Sequence, residues 1–254
     1  MEKINKIYYI NLDRRPDRNE HFLNQCAKHS LPSSKIQRVQ AVDGLTFRFN
    51  DEMYNMFANS DFTINLKKYR ELGLDNESYK VAENIVKKLM GNQLSHYTIL
   101  NNIIDNDYEY SIIFQDDARF NNNIVEYIDN LLKYIPEDGE LINIGLNKFA
   151  DGSMAIPWDF VKDTDTDIAK EFINEYICKL DINKINPCSL AYIVTKKGAI
   201  NLVNYFSKVG FLKATDHNFN EYLITKDIFY CCRNIMATSE NFGSDIFSKE
   251  VLFE

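Results

Sequence analysis

The run Tyr110-Ser-Ile-Ile-Phe-Gln115, which stops abruptly at Asp116-Asp117, constrains the fold more than any other stretch of the chain. A short apolar segment without alternation suits a strand covered on both faces, and such strands belong to parallel sheets flanked by helices. Lys6 to Leu12 repeats the theme, and Lys35 to Val42, Glu140 to Leu146, Leu190 to Thr195 and Ile228 to Arg233 read as further strands. Helical spacing fills the intervals. Pro16 opens a helix reaching His29, with Phe22, Leu23, Cys26 and Ala27 turned inward. Ser78 caps one that runs to Met90, Gly91 interrupts it, and Leu94 to Ile104 resumes. Ile124 to Tyr134, Ile168 to Ile177, Lys196 to Phe206 and Asp216 to Ile224 follow. Residues 46–77 read as short helices and loops, 147–167 as an irregular loop around Trp158, and the end as a polar tail. Strands alternating with helices predict an α/β fold: a mostly parallel central sheet with helices on both faces. No repeat and no linker-like stretch interrupts it, so residues 1–254 read as one domain.

Charge and glycine usage narrow the function. The chain of 254 residues carries a net charge of -8, a poor balance for gripping a nucleic-acid backbone. Residues 1–48 nevertheless hold nine Lys or Arg against five Asp or Glu. A basic segment on an acidic body suits a small anionic ligand. With 9 glycines the chain has about half the usual share of roughly 7%, and no G-x-G-x-x-G or Walker loop is present. Any phosphate must therefore be held by helix ends and side chains. Five cysteines without a C-x-x-C pair read as reduced, mostly buried thiols. No signal-peptide pattern and no bilayer-length apolar stretch is visible, which reads as a soluble, cytoplasmic chain.

Two clusters sit where ligands of open α/β sheets gather, beyond the carboxyl ends of strands. One is Asn11-Leu12-Asp13-Arg14-Arg15-x-x-Arg18, three guanidiniums at a strand-to-helix junction. They suit a diphosphate by charge and forked hydrogen bonds, or else form a solvated helix start paired with Asp17. The other is Gln115-Asp116-Asp117-Ala118. Adjacent carboxylates at the end of a buried strand repel unless a cation or donors compensate, and hard divalent cations prefer carboxylate and phosphate oxygens together. Asp163-Thr-Asp-Thr-Asp167 is richer in carboxylates. As an EF-hand loop, however, it offers Ile168 where Gly is needed and Asn174 where Glu is needed, so a solvated loop is its better account.

Taken in order, these blocks resemble glycosyltransferase family 25. Tyr9-Ile-Asn-Leu-Asp-Arg-Arg-Pro-Asp-Arg18 is similar to that family's opening motif, and Ala41-Val-Asp-Gly44 to its A-V-D-G. Gly91 with Leu94-Ser95-His96, Phe114-Gln-Asp-Asp-Ala118, and the stretch Ser189 to Ala199 resemble later blocks; Thr215-Asp216-His217 and Ser244-Asp245-Ile246 resemble weaker ones. The resemblance implies a GT-A-like fold and inversion at the anomeric carbon. It implies a nucleotide-sugar donor, UDP-linked and of galactose or glucose type, a glycan or protein acceptor, and Mn²⁺ or Mg²⁺. It also assigns residues. Asn11, Leu12, Arg15, Arg18, Asp43, Gly44, Ser95, His96, Gln115 and Asp116 would bind the donor, with packing in the core an equal alternative for His96. Asp117, Asp116 and Asp245 would hold the metal, and Asp216 would either deprotonate the acceptor hydroxyl or serve only as a helix N-cap. Gln115 departs from the family's Glu, and Asn92 from its Cys. The first departure leaves open a catalytically silent, nucleotide- or glycan-binding relative. A carboxylate-metal phosphohydrolase built on Asp116 and Asp117 is the remaining alternative.

Overall fold

The structure, a computed structural model, describes residues 1–73, 75–146, 169–181, 189–240, 242 and 245–246. Trp158, Cys188 and the Asp163–Asp167 run lie outside the described residues, so the expectations placed on them stay there.

Eight strands form the main sheet in the order β2-β1-β3-β9-β5-β10-β8-β7. They are β1 (Lys6–Asn11), β2 (Ile36–Gln40), β3 (Tyr110–Gln115), β5 (Leu141–Asn143), β7 (Ala169–Phe172), β8 (Ile177–Leu180), β9 (Ala191–Thr195) and β10 (Tyr230–Cys232). β1 pairs in parallel with both β2 and β3, and β5 with β10. Only β9 and β8 run against the rest, so the sheet is mixed and six of its eight described strands share one sense. A smaller sheet, β4-β11-β6, joins Ala118–Phe120, Ala237–Ser239 and Gly145–Leu146. The expected strand from Glu140 to Leu146 is thus divided between two sheets, and the polar tail contains a strand.

Helices cover both faces, as the continuous apolar run requires. Phe114 of β3 meets Phe22 of α1 (Pro16–Lys28), which also stacks on Tyr9 with ring centroids 4.3 Å apart. Ile113 points the opposite way and pairs in register with Tyr192 of β9. On that second face Tyr192 meets His96 of α4 (Asn76–Asp105) and Phe219 of α7 (Thr215–Thr225). Fully burying a side chain such as Phe22 contributes about 1.5–3 kcal/mol. The buried stripe of α1 is narrower than its apolar residues suggest. Arg18, Phe22 and Cys26 are buried four residues apart, whereas Leu23 and Ala27 are exposed. An arginine thus occupies a core-facing position.

Two expectations about helices fail for physical reasons. Gly91 does not interrupt its helix: α4 is continuous over 30 residues, capped by Asp75 rather than Ser78. The glycine is there for clearance. A Cβ on Gly91 would lie 2.3 Å from the carbonyl oxygen of Val42, and one on Gly44 would lie 1.9 Å from that of Lys87. The loop after β2 therefore rests directly on helix backbone. The helix expected from Ile168 to Ile177 is instead the β7–β8 hairpin, because Asn174 accepts the N–H groups of Tyr176 and Ile177 and turns the chain. Between β2 and α4, the short helices α2 (Asp51–Met56) and α3 (Asp61–Glu71) occur as expected. α5 (Ile124–Leu131) and α6 (Lys196–Val209) complete the set among the described residues.

Candidate functional site

The register between β1 and β3 builds the site. Ile10 lies opposite Gln115, so the two strands end side by side, and Asn11 and Asp116 emerge on the α1 face. Asn11 Nδ2 donates to Asp116 Oδ2 at 2.7 Å and to the carbonyl of Arg15 at 3.0 Å. Arg15 is the N-cap of α1 without a capping side chain, and Pro16 starts the helix. Cations at a helix N-terminus oppose its dipole, so three guanidiniums here need anions.

Carboxylates converge to supply them. Arg18 Nη1 lies 3.2 Å from Asp116 Oδ1 and 3.6 Å from Asp117 Oδ2, and its Nη2 is 3.2 Å from Asp245 Oδ2. Arg14 bridges Asp43 at 2.9 Å and Asp245 at 2.6 Å, while Arg15 pairs with Asp17 and Asp245. One carboxylate, Asp245, thus faces all three arginines. The chain reaches this position from β11. Glu240 N–H donates to the Asp117 carbonyl at 2.7 Å, and the Phe242 ring covers Arg15 and Arg18 at 5.9 and 5.6 Å. Lys88 of α4 donates to the carbonyl of Ile246 at 3.4 Å.

Desolvation sets the protonation behaviour. Burial pushes Asp117 up to about 6, with Arg18 opposing and Asp116 adding to the rise. Asp116 is raised too, by burial against the pull of Asn11 and Arg18. Burial acts the same way on Asp245, but the Arg14 hydrogen bond and the charges of Arg18 and Arg15 win and hold it below its ordinary value. Asp117 Oδ1 is buried and has no hydrogen-bond partner among the described residues. Such an orphaned oxygen needs an explanation, and a cation supplies one.

The described residues contain no group of three or more His, Cys, Asp or Glu side chains that would hold a metal alone. Asp245, expected as a third ligand, serves the arginines instead. Asp116 and Asp117 still fit a hard divalent ion, which binds through one or two carboxylates when phosphate oxygens complete its shell.

The remaining expected residues separate into groups. Asp43 joins the cluster through Arg14, and Gly44 fixes its loop on α4. The Leu12 carbonyl accepts Arg15 N–H at 2.9 Å, closing the turn before the helix. Ser95 and His96 are sealed from solvent, so both brace the fold rather than line an open donor cleft. Ser95 Oγ accepts Val42 N–H and donates to the Gly91 carbonyl, tying that same loop to α4. His96 bonds to the Tyr192 hydroxyl at 2.8 Å, and burial pushes its imidazole down to about 3. Gln115 points to the face opposite Asp116, where its amide donates to Ser189 Oγ at 3.1 Å. Asp216 lies in the first turn of α7, accepting His217 N–H at 2.9 Å, and α7 packs on α4 and α6. Sequence reasoning missed Arg38 and Phe242; only strand register and the returning chain bring them to the cluster.

The model of glycosyltransferase family 25 (LPS biosynthesis protein) matches residues 4–219. The chain belongs to glycosyltransferase family 25. It is 25% identical over 148 residues to procollagen galactosyltransferase 2 of Homo sapiens, covering 55% of this chain and 20% of that protein. It is 23% identical over 205 residues to the Bos taurus protein named "Probable inactive glycosyltransferase 25 family member 3", covering 78% and 28%. The match thus spans between a fifth and somewhat over a quarter of these curated relatives. Residues 1–349 of S. aureus TarS share 13% identity and a TM-score of 0.44, over 92% of this chain and 60% of that one. Among the described residues no helix is long and apolar enough to cross a membrane.

Proposed function

We propose that this family 25 chain is a metal-dependent, inverting glycosyltransferase of GT-A type. It would move a galactose- or glucose-type sugar from a UDP-linked donor to a hydroxyl of a glycan or protein acceptor. The observation that carries the reading is the convergence of three arginines and the Asp116–Asp117 pair beyond the ends of β1 and β3, with Asp117 Oδ1 unpartnered among the described residues.

In this mechanism Arg15 and Arg18, with Arg14 beside them, bind the donor diphosphate by charge-assisted hydrogen bonds. Asp117 and Asp116 would hold Mn²⁺ or Mg²⁺, whose contribution is to neutralise charge on the leaving diphosphate. Asn11, Asp43 and Gly44 would help frame the nucleoside. Asp216 is the proposed base. It takes the acceptor hydroxyl proton as that oxygen forms a bond to the anomeric carbon, and the bond to the diphosphate oxygen breaks with its electron pair. Attack opposite the leaving group inverts the centre.

Calorimetric titration with a panel of nucleotide sugars, with and without Mn²⁺, followed by assay of nucleoside diphosphate release, tests the proposal. Metal-dependent binding of one donor with release establishes a transferase and names its donor. Binding without release favours the silent relative, and Gln115→Glu is then the variant that asks whether the family's Glu restores release. Phosphate release from simple esters without a sugar would point to the phosphohydrolase.

A further inference from the structure

The Asn11 amide has two ends, and its contacts decide which one Asp116 meets. A carboxamide presents a carbonyl oxygen or an NH₂ group within nearly the same outline. If the oxygen faced Asp116, two acceptors would be opposed in a buried place, since Asn11 is 1% and Asp116 5% exposed. The device that selects the other orientation lies on the neighbouring strand. Arg38 of β2 sits opposite Tyr9 in register, on the α1 face, and reaches two residues forward along β1. Its Nε donates to Asn11 Oδ1 at 2.9 Å and its Nη2 to the Asn11 carbonyl at 3.3 Å. A guanidinium has donors only, so it captures the amide oxygen and leaves Nδ2 for Asp116 and the Arg15 carbonyl.

Arg38 is itself held in place. Asp13 Oδ1 accepts from its Nη2 at 2.6 Å, and Asp13 Oδ2 accepts from Gln40 Nε2 at 2.6 Å. The sequence Asp13, Arg38, Asn11, Asp116 thus runs from the edge of the sheet to the centre of the candidate site. We infer that Arg38 is a positioning residue, which fixes the orientation of the Asn11 amide and through it the carboxylate of Asp116. The inference rests on the transferase reading only for its effect on turnover. The orientation itself is a property of the protein alone.

Arg38 lies on the edge strand with a side chain 36% exposed, so its truncation leaves no core cavity and the fold survives. The test uses the full chain, deuterated and ¹⁵N-labelled, with the Asn11 side-chain amide assigned by its loss in Asn11→Ser. In the wild type the two Nδ2 protons should be dispersed and slow to exchange. In Arg38→Met, with melting temperature unchanged, they should collapse toward free-amide positions and exchange at least about tenfold faster, and Arg38→Lys should restore part of the protection. Unchanged amide signals in Arg38→Met would overturn the inference, whatever the activity. On nucleoside diphosphate release, Arg38→Met should lower kcat by about 10- to 100-fold with donor KM nearly unchanged. It should add nothing to Asn11→Ser, because the arginine acts through that amide; a full additional loss in the double variant would overturn the inference as well. Altered amide signals in a protein that releases no nucleotide at all would leave the positioning intact and count against the transferase reading alone.

Discussion

Two carboxylates, at opposite strand ends of the same sheet, are treated in opposite ways. Glu140 stands before β5, a strand that runs in the same sense as β3, and it is 3% exposed. Each of its oxygens has a donor: the Tyr222 hydroxyl at 2.5 Å on one, Asn201 at 2.7 Å and Lys226 at 3.3 Å on the other. Asp117 follows the end of β3. It shares one guanidinium with two other carboxylates, and its Oδ1 is buried without a partner among the described residues. Burial of charge is costly in both places, but only at Glu140 does the chain supply a donor to each oxygen. Under the proposed function, the unpartnered oxygen of Asp117 is the one that a donor-bound cation would complete.

Substitutions at each site test this contrast. The largest expected effect is at Asp117. Asp117→Ala should cut metal-stimulated nucleoside diphosphate release by about 100-fold or more while the circular dichroism spectrum stays that of the wild type. Undiminished release would remove Asp117 from the metal site. Glu140→Ala should do the reverse. It strands Tyr222, Asn201 and Lys226 and should cost about 3 kcal/mol in denaturant unfolding, with turnover per folded molecule retained. A loss of turnover in that variant without a loss of stability would mean the two carboxylates are not so different. Arg15→Ala and Arg18→Ala should each weaken donor binding by about tenfold, read by titration calorimetry; unaltered affinity in both would take the arginines out of the donor site.

The smallest effect concerns pH. Burial holds the folded-state Asp117 carboxyl at about 6, above its ordinary value, so between those values the folded chain binds the proton that the unfolded chain has lost. Stability therefore falls as pH rises through that window. Asp117→Asn removes the penalty and should melt several degrees above wild type at pH 7.5, but close to it at pH 4. Equal differences at the two pH values would contradict the assigned shift.

The parts legible in the sequence were those written in neighbouring residues. The apolar run of β3, the arginine-rich turn after β1 and the carboxylate pair after β3 each lie within one short segment, and the sheet brings them together. The structure adds pairings that no local pattern records. Arg38 reaches Asn11 only because β2 lies beside β1 in one particular register, and Asp245 reaches the arginines only after the chain has returned through β11. Local patterns also misled. The stretch before Ile177 suits a helix as well as a strand until the Asn174 turn decides. Gly91 looks like a break when read along the chain, and as a clearance once the loop after β2 lies across it. His96 could border the donor or pack inside, and its partner Tyr192 on β9 decides for the core.

Three arginines side by side suggest a beacon that draws anions from a distance and loses its hold as salt is added. The ion pairs around them say otherwise. Asp17, Asp43, Asp116, Asp117 and Asp245 already face these guanidiniums, so the cluster projects little positive field beyond its own dimensions. A diphosphate that takes the place of Asp245 exchanges one anion for another and sheds few counterions. Affinity at this site should then depend only weakly on ionic strength, with selectivity decided at contact range by shape and by the number of oxygens offered.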